Sequence, residues 1–183
     1  MKKNTAFCLL ALAAAPAVQA EDSMRPGLWE MHILSTVFDE GKKSPFADMM
    51  TAQMEQTKKM MASVADKDPR VSKDGNPLEC ITPEMAREFL NPKADDPGCQ
   101  IATLEKDSSH MRFRATCNTE GTKAISEVLV EVPSKELIKM QTSTTITLPG
   151  GDTHVVKNEM ENRFVKADCG AVKPEPKAAA GAK

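Results

Sequence analysis

The sequence predicts a single α+β domain: a curved antiparallel β-meander of about six strands, packed on one amphipathic helix and stapled by disulfides. Three observations predict it. Apolar and polar residues alternate in several stretches, chiefly after Cys99, which is the period-two pattern of half-buried strands. One long stretch, Phe46 to Val64, shows the helical period instead. Four cysteines follow the N-terminal segment, and an even number reads as a disulfide framework where export is expected.

Met1-Lys2-Lys3, an apolar run from Ala6 to Ala17, and small residues at Val18 and Ala20 have the charged, apolar, small-residue order of a cleavable secretory signal. The expected cut follows Ala20, and the apolar run is too short to span a bilayer, which takes about 20 residues. Cys8 lies at the start of that run, after Phe7, whereas a lipid-anchored cysteine would close it. It is read as filler in a discarded peptide. No later stretch is apolar enough for a membrane span. Residues 21–172 form the expected domain, and Lys173–Lys183, rich in Lys, Pro, Glu and Ala, has no apolar period and is expected to be a disordered tail.

Pro26-Gly27 turns the chain into a first strand, with Trp29, Met31 and Ile33 on one face and Glu30 and His32 on the other. Gly41 to Pro45 breaks it. In the helix that follows, Phe46, Met49, Met50, Met54, Met60, Met61 and Val64 collect on one side, opposite Thr51, Glu55, Lys58 and Lys59. Asp66 to Pro77 reads as a polar loop. Cys80-Ile81 is short and extended. Thr82-Pro83-Glu84 starts a small helix to about Leu90, because threonine suits the N-cap and proline the first helical position. From Cys99 onward strands carry Met111, Phe113, Ala115 and Cys117; Val128, Val130 and Val132; Met140, Thr142, Thr144 and Ile146; and His154, Val156, Asn158, Met160, Asn162 and Phe164. Glu120-Gly121, Pro133-Ser134 and Pro149-Gly150-Gly151-Asp152 punctuate them as hairpin turns would.

The chain has 24 Lys and Arg against 26 Asp and Glu, and losing Lys2 and Lys3 makes the mature chain more acidic still. That balance argues against nucleic acid, which needs a basic footprint, and against an anionic membrane surface. Of the three possible pairings of Cys80, Cys99, Cys117 and Cys169, we favour Cys99–Cys117, symmetric about Ser108, with Cys80–Cys169 closing a long loop. No pair has the C-x-x-C spacing of a redox centre. The first pairing carries a conflict. It sets Thr103 and Glu105 opposite Phe113 and Met111, while a one-residue slip would match Ala102 and Leu104 to them but separate the cysteines. A bulge could reconcile the two.

The run Arg25-Pro26-Gly27-Leu28-Trp29-Glu30, the Met-rich stretch, Glu79-Cys80-Ile81-Thr82-Pro83-Glu84, the later Cys99 and Cys117, and the closing Asp168-Cys169-Gly170 resemble a family of bacterial exported domains of unknown function, DUF3617-like. The resemblance covers the mature domain except the tail. It implies a periplasmic or secreted location with cysteines as staples, and it implies no activity. This chain departs from the commoner form in its longer Lys-rich helix and its fewer glycines and methionines in the β half.

No catalytic site is expected. There is no Gly-x-Ser-x-Gly elbow, His-Glu-x-x-His, phosphate-cradling glycine loop or dinucleotide fingerprint. Asp152 and His154 read as a turn aspartate and an edge histidine. Glu127 with Glu131, and Glu159 with Glu161, oppose apolar faces and are expected to meet water. No cofactor is implied and no metal site is assigned. Cu(I) is the minor alternative, because methionine thioethers are soft ligands available outside the cytoplasm. The leading expectation is a small apolar or amphiphilic ligand in a Met-lined sheet cavity, with His154, Asn158, Asn162, Met140 and Trp29 as its candidate residues, since polar groups on an apolar face need partners. The alternative is a structural or protein-interaction component of the cell envelope.

Overall fold

The computed structural model describes residues 24–39, 45–94 and 98–174. The expected export segment, Met1–Ala20, and nearly all of the expected tail lie outside the described residues. The elements are β1 (Gly27–Phe38), α1 (Pro45–Val64), β2 (Leu78–Ile81), α2 (Pro83–Glu88), β3 (Cys99–Lys106), β4 (His110–Thr119), β5 (Thr122–Ser134), β6 (Leu137–Thr147) and β7 (Thr153–Lys166). The seven strands make one antiparallel sheet in the order β2-β1-β7-β6-β5-β4-β3. No described helix is long and apolar enough to cross a membrane.

β3 to β7 form the meander that the alternation predicts. The β4–β5 turn has two residues. Glu120 and Gly121 both have positive φ, 51° and 81°, the conformation a two-residue hairpin needs to match the twist of its strands. β7 returns to pair with β1, the first strand of the chain. Gly27 begins it at a point where a side chain would not fit, because a Cβ there would stand 2.4 Å from the Lys166 carbonyl oxygen.

The register defines one apolar face. Trp29, Met31, Ile33, Thr36 and Phe38 of β1 lie opposite Phe164, Asn162, Met160, Asn158 and Val156 of β7. The face continues through Ile138, Met140, Thr142, Thr144 and Ile146 into Val130, Val128 and Ser126, then Met111, Phe113 and Ala115. Leu34 is the extra residue of a bulge between Ile33 and Ser35, and it restores this alternation after shifting it by one.

The expected architecture needs correction. The sheet has seven strands, not about six, because Leu78–Ile81 pairs with β1 as an outer strand. The core also does not lie under the long amphipathic helix. It lies under α2 and its flanks, where Ala86 and Leu90, with Met85 and Phe89, pack on Trp29, Met111, Val128, Val130, Val132 and Ile138. α2 starts as the sequence predicts, with the Thr82 hydroxyl accepting from the Met85 N–H. α1 has no buried residue. Its apolar arc is wider than its contact. Phe46, Met50, Met54, Met61 and Val64 are half-buried, while Met49 and Met60 are 57% and 60% exposed.

Both favoured disulfides are present, Cys80–Cys169 and Cys99–Cys117. Cys80 lies on the face opposite the core, in a small cluster with Leu28 and Val172. The register conflict around Cys99–Cys117 is resolved by a bulge, but not in favour of the slip. Thr103 stays opposite Phe113, and after the bulge Lys106 stands opposite Met111. Leu104 is left 44% exposed.

Candidate functional site

α1 runs beside β1 and the two enclose an open groove of about 600 Å³, walled by Met31, Ile33, Leu34 and Phe38 on the strand and Met50, Met54 and Met61 on the helix. Consecutive residues Ile33, Leu34, Ser35 and Thr36 all line it. Neighbours in a strand point to opposite faces, so the groove follows the edge of β1 rather than one face of the sheet. That edge is paired by β2 only at Gly27–Glu30, and the Met31 N–H donates to the Pro77 carbonyl. Beyond Met31, no strand pairs that edge among the described residues, and α1 occupies the side that another strand would take.

Both ends of α1 are fixed. At the first, the Phe46 ring stacks on His154 at 4.1 Å and meets Phe38 edge-on at 6.3 Å. His154 is held by Asp39, whose carboxylate takes Nδ1 at 2.8 Å and the Val155 N–H at 2.8 Å. Asp39 is buried and has a φ of 46°, so it turns the chain at the end of β1 while capping the start of β7. At the other end Gly75 lets the loop close on the helix: its φ is +79°, and a Cβ there would meet the Ala62 backbone at 3.2 Å. Asn76 fixes that loop to the strand by donating to Glu30 at 3.0 Å.

The sequence-predicted residues share the apolar face but do not line this groove. Trp29 is a core residue, 2% exposed, whose Nε1 donates to the Arg25 carbonyl and whose ring meets Phe164 edge-on. Met140 stands opposite Met160 and packs on the core. Asn158 lies between Thr36 and Thr142, and Asn162 between Met31 and Ile138, with its Oδ1 buried and lacking a hydrogen-bond partner among the described residues. Thr144 satisfies itself against Ser126 at 2.9 Å. The groove is walled by the β1 neighbours of these β7 residues, one strand further out. Asp39, Leu34 and Asn76 were not singled out, and Lys58, read as part of the helix's polar side, lines the groove with Met54 and Met61. The alternation of β1 and the spacing of the helix methionines gave the two walls, but nothing in the pattern signalled the bulge at Leu34.

The opposite face of the sheet is charged. Arg114 donates to Glu127 at 2.6 Å, and with Arg112 it holds that carboxyl below its ordinary pKa. Arg163, then Lys139 and His32, lower Glu161 in the same way against a smaller opposing effect of burial. Burial pushes Glu30 up, but hydrogen bonds from Ser72 and Asn76 and the neighbouring His32 outweigh it and leave Glu30 lowered. These carboxyls are ionised at neutral pH and are paired to arginine or amide groups, which is not the state of a general acid. His154 pairs with Asp39, not with Asp152.

Among the described residues no three His, Cys, Asp or Glu side chains stand together as a metal-ligand set. Met50, Met54 and Met61 line the groove from the helix and Met31 from the strand. Met54 and Met61 are seven residues apart, about 10 Å along the helix axis, and helical side chains lean the same way.

The family model described as "Protein of unknown function (DUF3617)" matches residues 24–169. No curated protein and no solved structure matches the chain.

Proposed function

The chain belongs to the DUF3617 family, and from that premise we propose that it is a binding protein of an oxidising, extracytoplasmic compartment rather than an enzyme, taking a small apolar or amphiphilic ligand between β1 and α1. The address rests on the signal-like Met1–Ala20 and on two disulfides, which persist outside the reducing cytoplasm. The observation that carries the ligand reading is the groove itself. Its volume of about 600 Å³ falls within the roughly 300–1,000 Å³ of small-molecule sites. Its walls are apolar with a few polar groups, and the helix that forms one wall buries nothing. A 20-residue amphipathic helix that contributes no buried residue to the core is better explained as the wall of a binding site than as core packing.

The test is titration of the full mature chain with the neutral fluorophore N-phenylnaphthylamine. Emission should rise and saturate at one equivalent. The Leu34→Trp variant, which fills the groove from the strand side, should abolish the rise without changing the unfolding midpoint. An unsaturable or absent rise in the wild-type chain would sink the reading.

Ile33, Leu34 and Val37, exposed on β1 at 54%, 54% and 41%, favour a second reading, an envelope protein docked on that strand. Crosslinking in the native envelope should then trap a heteromer through β1. Recovery of the monomer alone would leave the groove reading without a rival.

A further inference from the structure

The groove has a definite length and direction. Phe46 meets Phe38 at one end, and Ala62 abuts Gly75 at the other, beside the Pro77 carbonyl that takes the Met31 N–H. Helix and strand therefore run antiparallel along it. From Phe46 to Met61 the helix rises about 22 Å. From Phe38 to Met31 the strand, with its bulge, spans the six β7 steps from Val156 to Asn162, about 20 Å. The two independent lengths agree.

Spreading about 600 Å³ over that distance gives a mean section of roughly 30 Å². A single hydrocarbon chain, whose atoms touch their neighbours at about 4–4.5 Å, needs roughly 20 Å². The section admits a hydrocarbon chain lying along the strand edge. Methionines placed at intervals suit such a guest, because unbranched thioether side chains conform to an irregular apolar chain.

The two ends differ in polarity. The end at Phe38 and Met50, where the Phe46 ring meets Phe38, carries no charged group in the groove lining, its polar side chains being Thr36 and Thr51. Towards the other end, Lys58 stands on the lip a turn before Met61, and it has no ion-pair partner among the described residues. Glu55 lies on the same wall a turn earlier, so the positive end is local to Lys58.

We infer that the ligand is a free long-chain carboxylate, lying singly along the groove with its tail at Phe38 and its head at Lys58. The inference rests on the groove being the ligand site proposed above and adds the class and orientation of the guest.

Calorimetric titration of the mature chain with saturated carboxylates from octanoate to hexadecanoate, below their micelle concentrations, tests it. Affinity should climb about four-fold per methylene and level off once the groove is filled. Lys58→Gln should weaken dodecanoate about three-fold and leave dodecanol unchanged. Lys59→Gln, exposed on the same helix but outside the groove lining, should alter neither. Affinity independent of chain length would overturn the inference, as would a Lys58→Gln effect on dodecanol as large as that on dodecanoate. If N-phenylnaphthylamine saturates while no carboxylate binds, the groove reading stands and this inference falls. If neither binds, both fall.

Discussion

α2 spans six residues and buries Ala86 completely, whereas α1 spans 20 and buries none. Both sit beside the same sheet. The difference lies in what each meets. α2 and its flanks arrive over the middle of the apolar face, where Ile138, Val130 and Met111 project into them from three adjacent strands. α1 arrives beside the edge strand, where a single line of side chains is available and the bulge at Leu34 breaks it. An apolar stripe thus states that a helix has a partner surface, but not how wide that surface is. The face under α2 is core, and the edge of β1 beside α1 has room for a guest.

The largest effect expected from testing this contrast is at the disulfide that ties the strand entering α2 to the end of the chain. Cys80–Cys169 closes a separation of 89 residues, and Cys99–Cys117 one of 18. Loop-closure entropy then assigns about 4.5 kcal/mol to the first and about 3 kcal/mol to the second. Paired serine substitutions, compared by urea midpoints, should show the first to be the more costly. The reverse order would mean that the β3–β4 end contributes more to the fold than the α2 end.

Next is a direct comparison of the two halves. Ile138, fully buried under α2, should cost about 2–5 kcal/mol on truncation to alanine. Met54→Ala in α1 should cost under about 1 kcal/mol, because the residue is half-exposed, and should instead weaken ligand binding. Equal costs in chemical denaturation would erase the distinction between core and groove.

The sequence carried much of this and missed a specific part. Alternation placed β1 and the β4–β7 run, and Thr82-Pro83 placed α2. The even cysteine count and the symmetry about Ser108 gave both disulfides. The face of His154, Asn158, Asn162 and Met140 was also legible, because a period of two is intrinsic to a strand. Two things were not. Which helix covers the core depends on strand order, and periodicity carries no information about neighbours across the sheet. The position of the groove depends on the Leu34 bulge and on the edge left open beyond Met31, both products of pairing rather than of local pattern. Candidate residues chosen from the face alone therefore fell one strand inside the groove.

The anchor at Asp39 can be broken separately. Its carboxylate serves His154 and the Val155 N–H at once, and His154 supports Phe46 at the start of α1. Asp39→Ala leaves both partners unsatisfied and should cost about 1–3 kcal/mol. Asp39→Asn tolerates the positive φ and keeps an acceptor, so it should cost less. Hydrogen exchange should quicken in residues 45–64 and stay slow in β5 and β6. Uniform quickening would show that the anchor belongs to the core and not to α1.

The smallest effect is expected in acid, and its order of events separates the two halves. Arg70 donates to Asp68 through its side chain and backbone, lowering the carboxyl from 3.8 to about 2. Glu30, tied to Asn76 and Ser72, is lowered as well. A carboxyl whose pKa is depressed in the folded state contributes stability above its unfolded pKa and loses it as pH falls through the folded value. Both groups stabilise the loop that closes on α1 through Gly75, so their contribution is intact at neutral pH. It should fade from about pH 4 downward, with Asp68 the last to protonate. The core under α2 relies on apolar contacts that do not titrate. Trp29, the only tryptophan in the chain, is buried in that core and reports on it alone. α1 supplies most of the described helical residues, so helical ellipticity reports chiefly on it. On acid titration, ellipticity should decline at a higher pH than the one at which Trp29 emission shifts. Coincident transitions would mean that α1 and the core unfold as one unit, and that the groove is more rigid than its lack of buried helix residues implies.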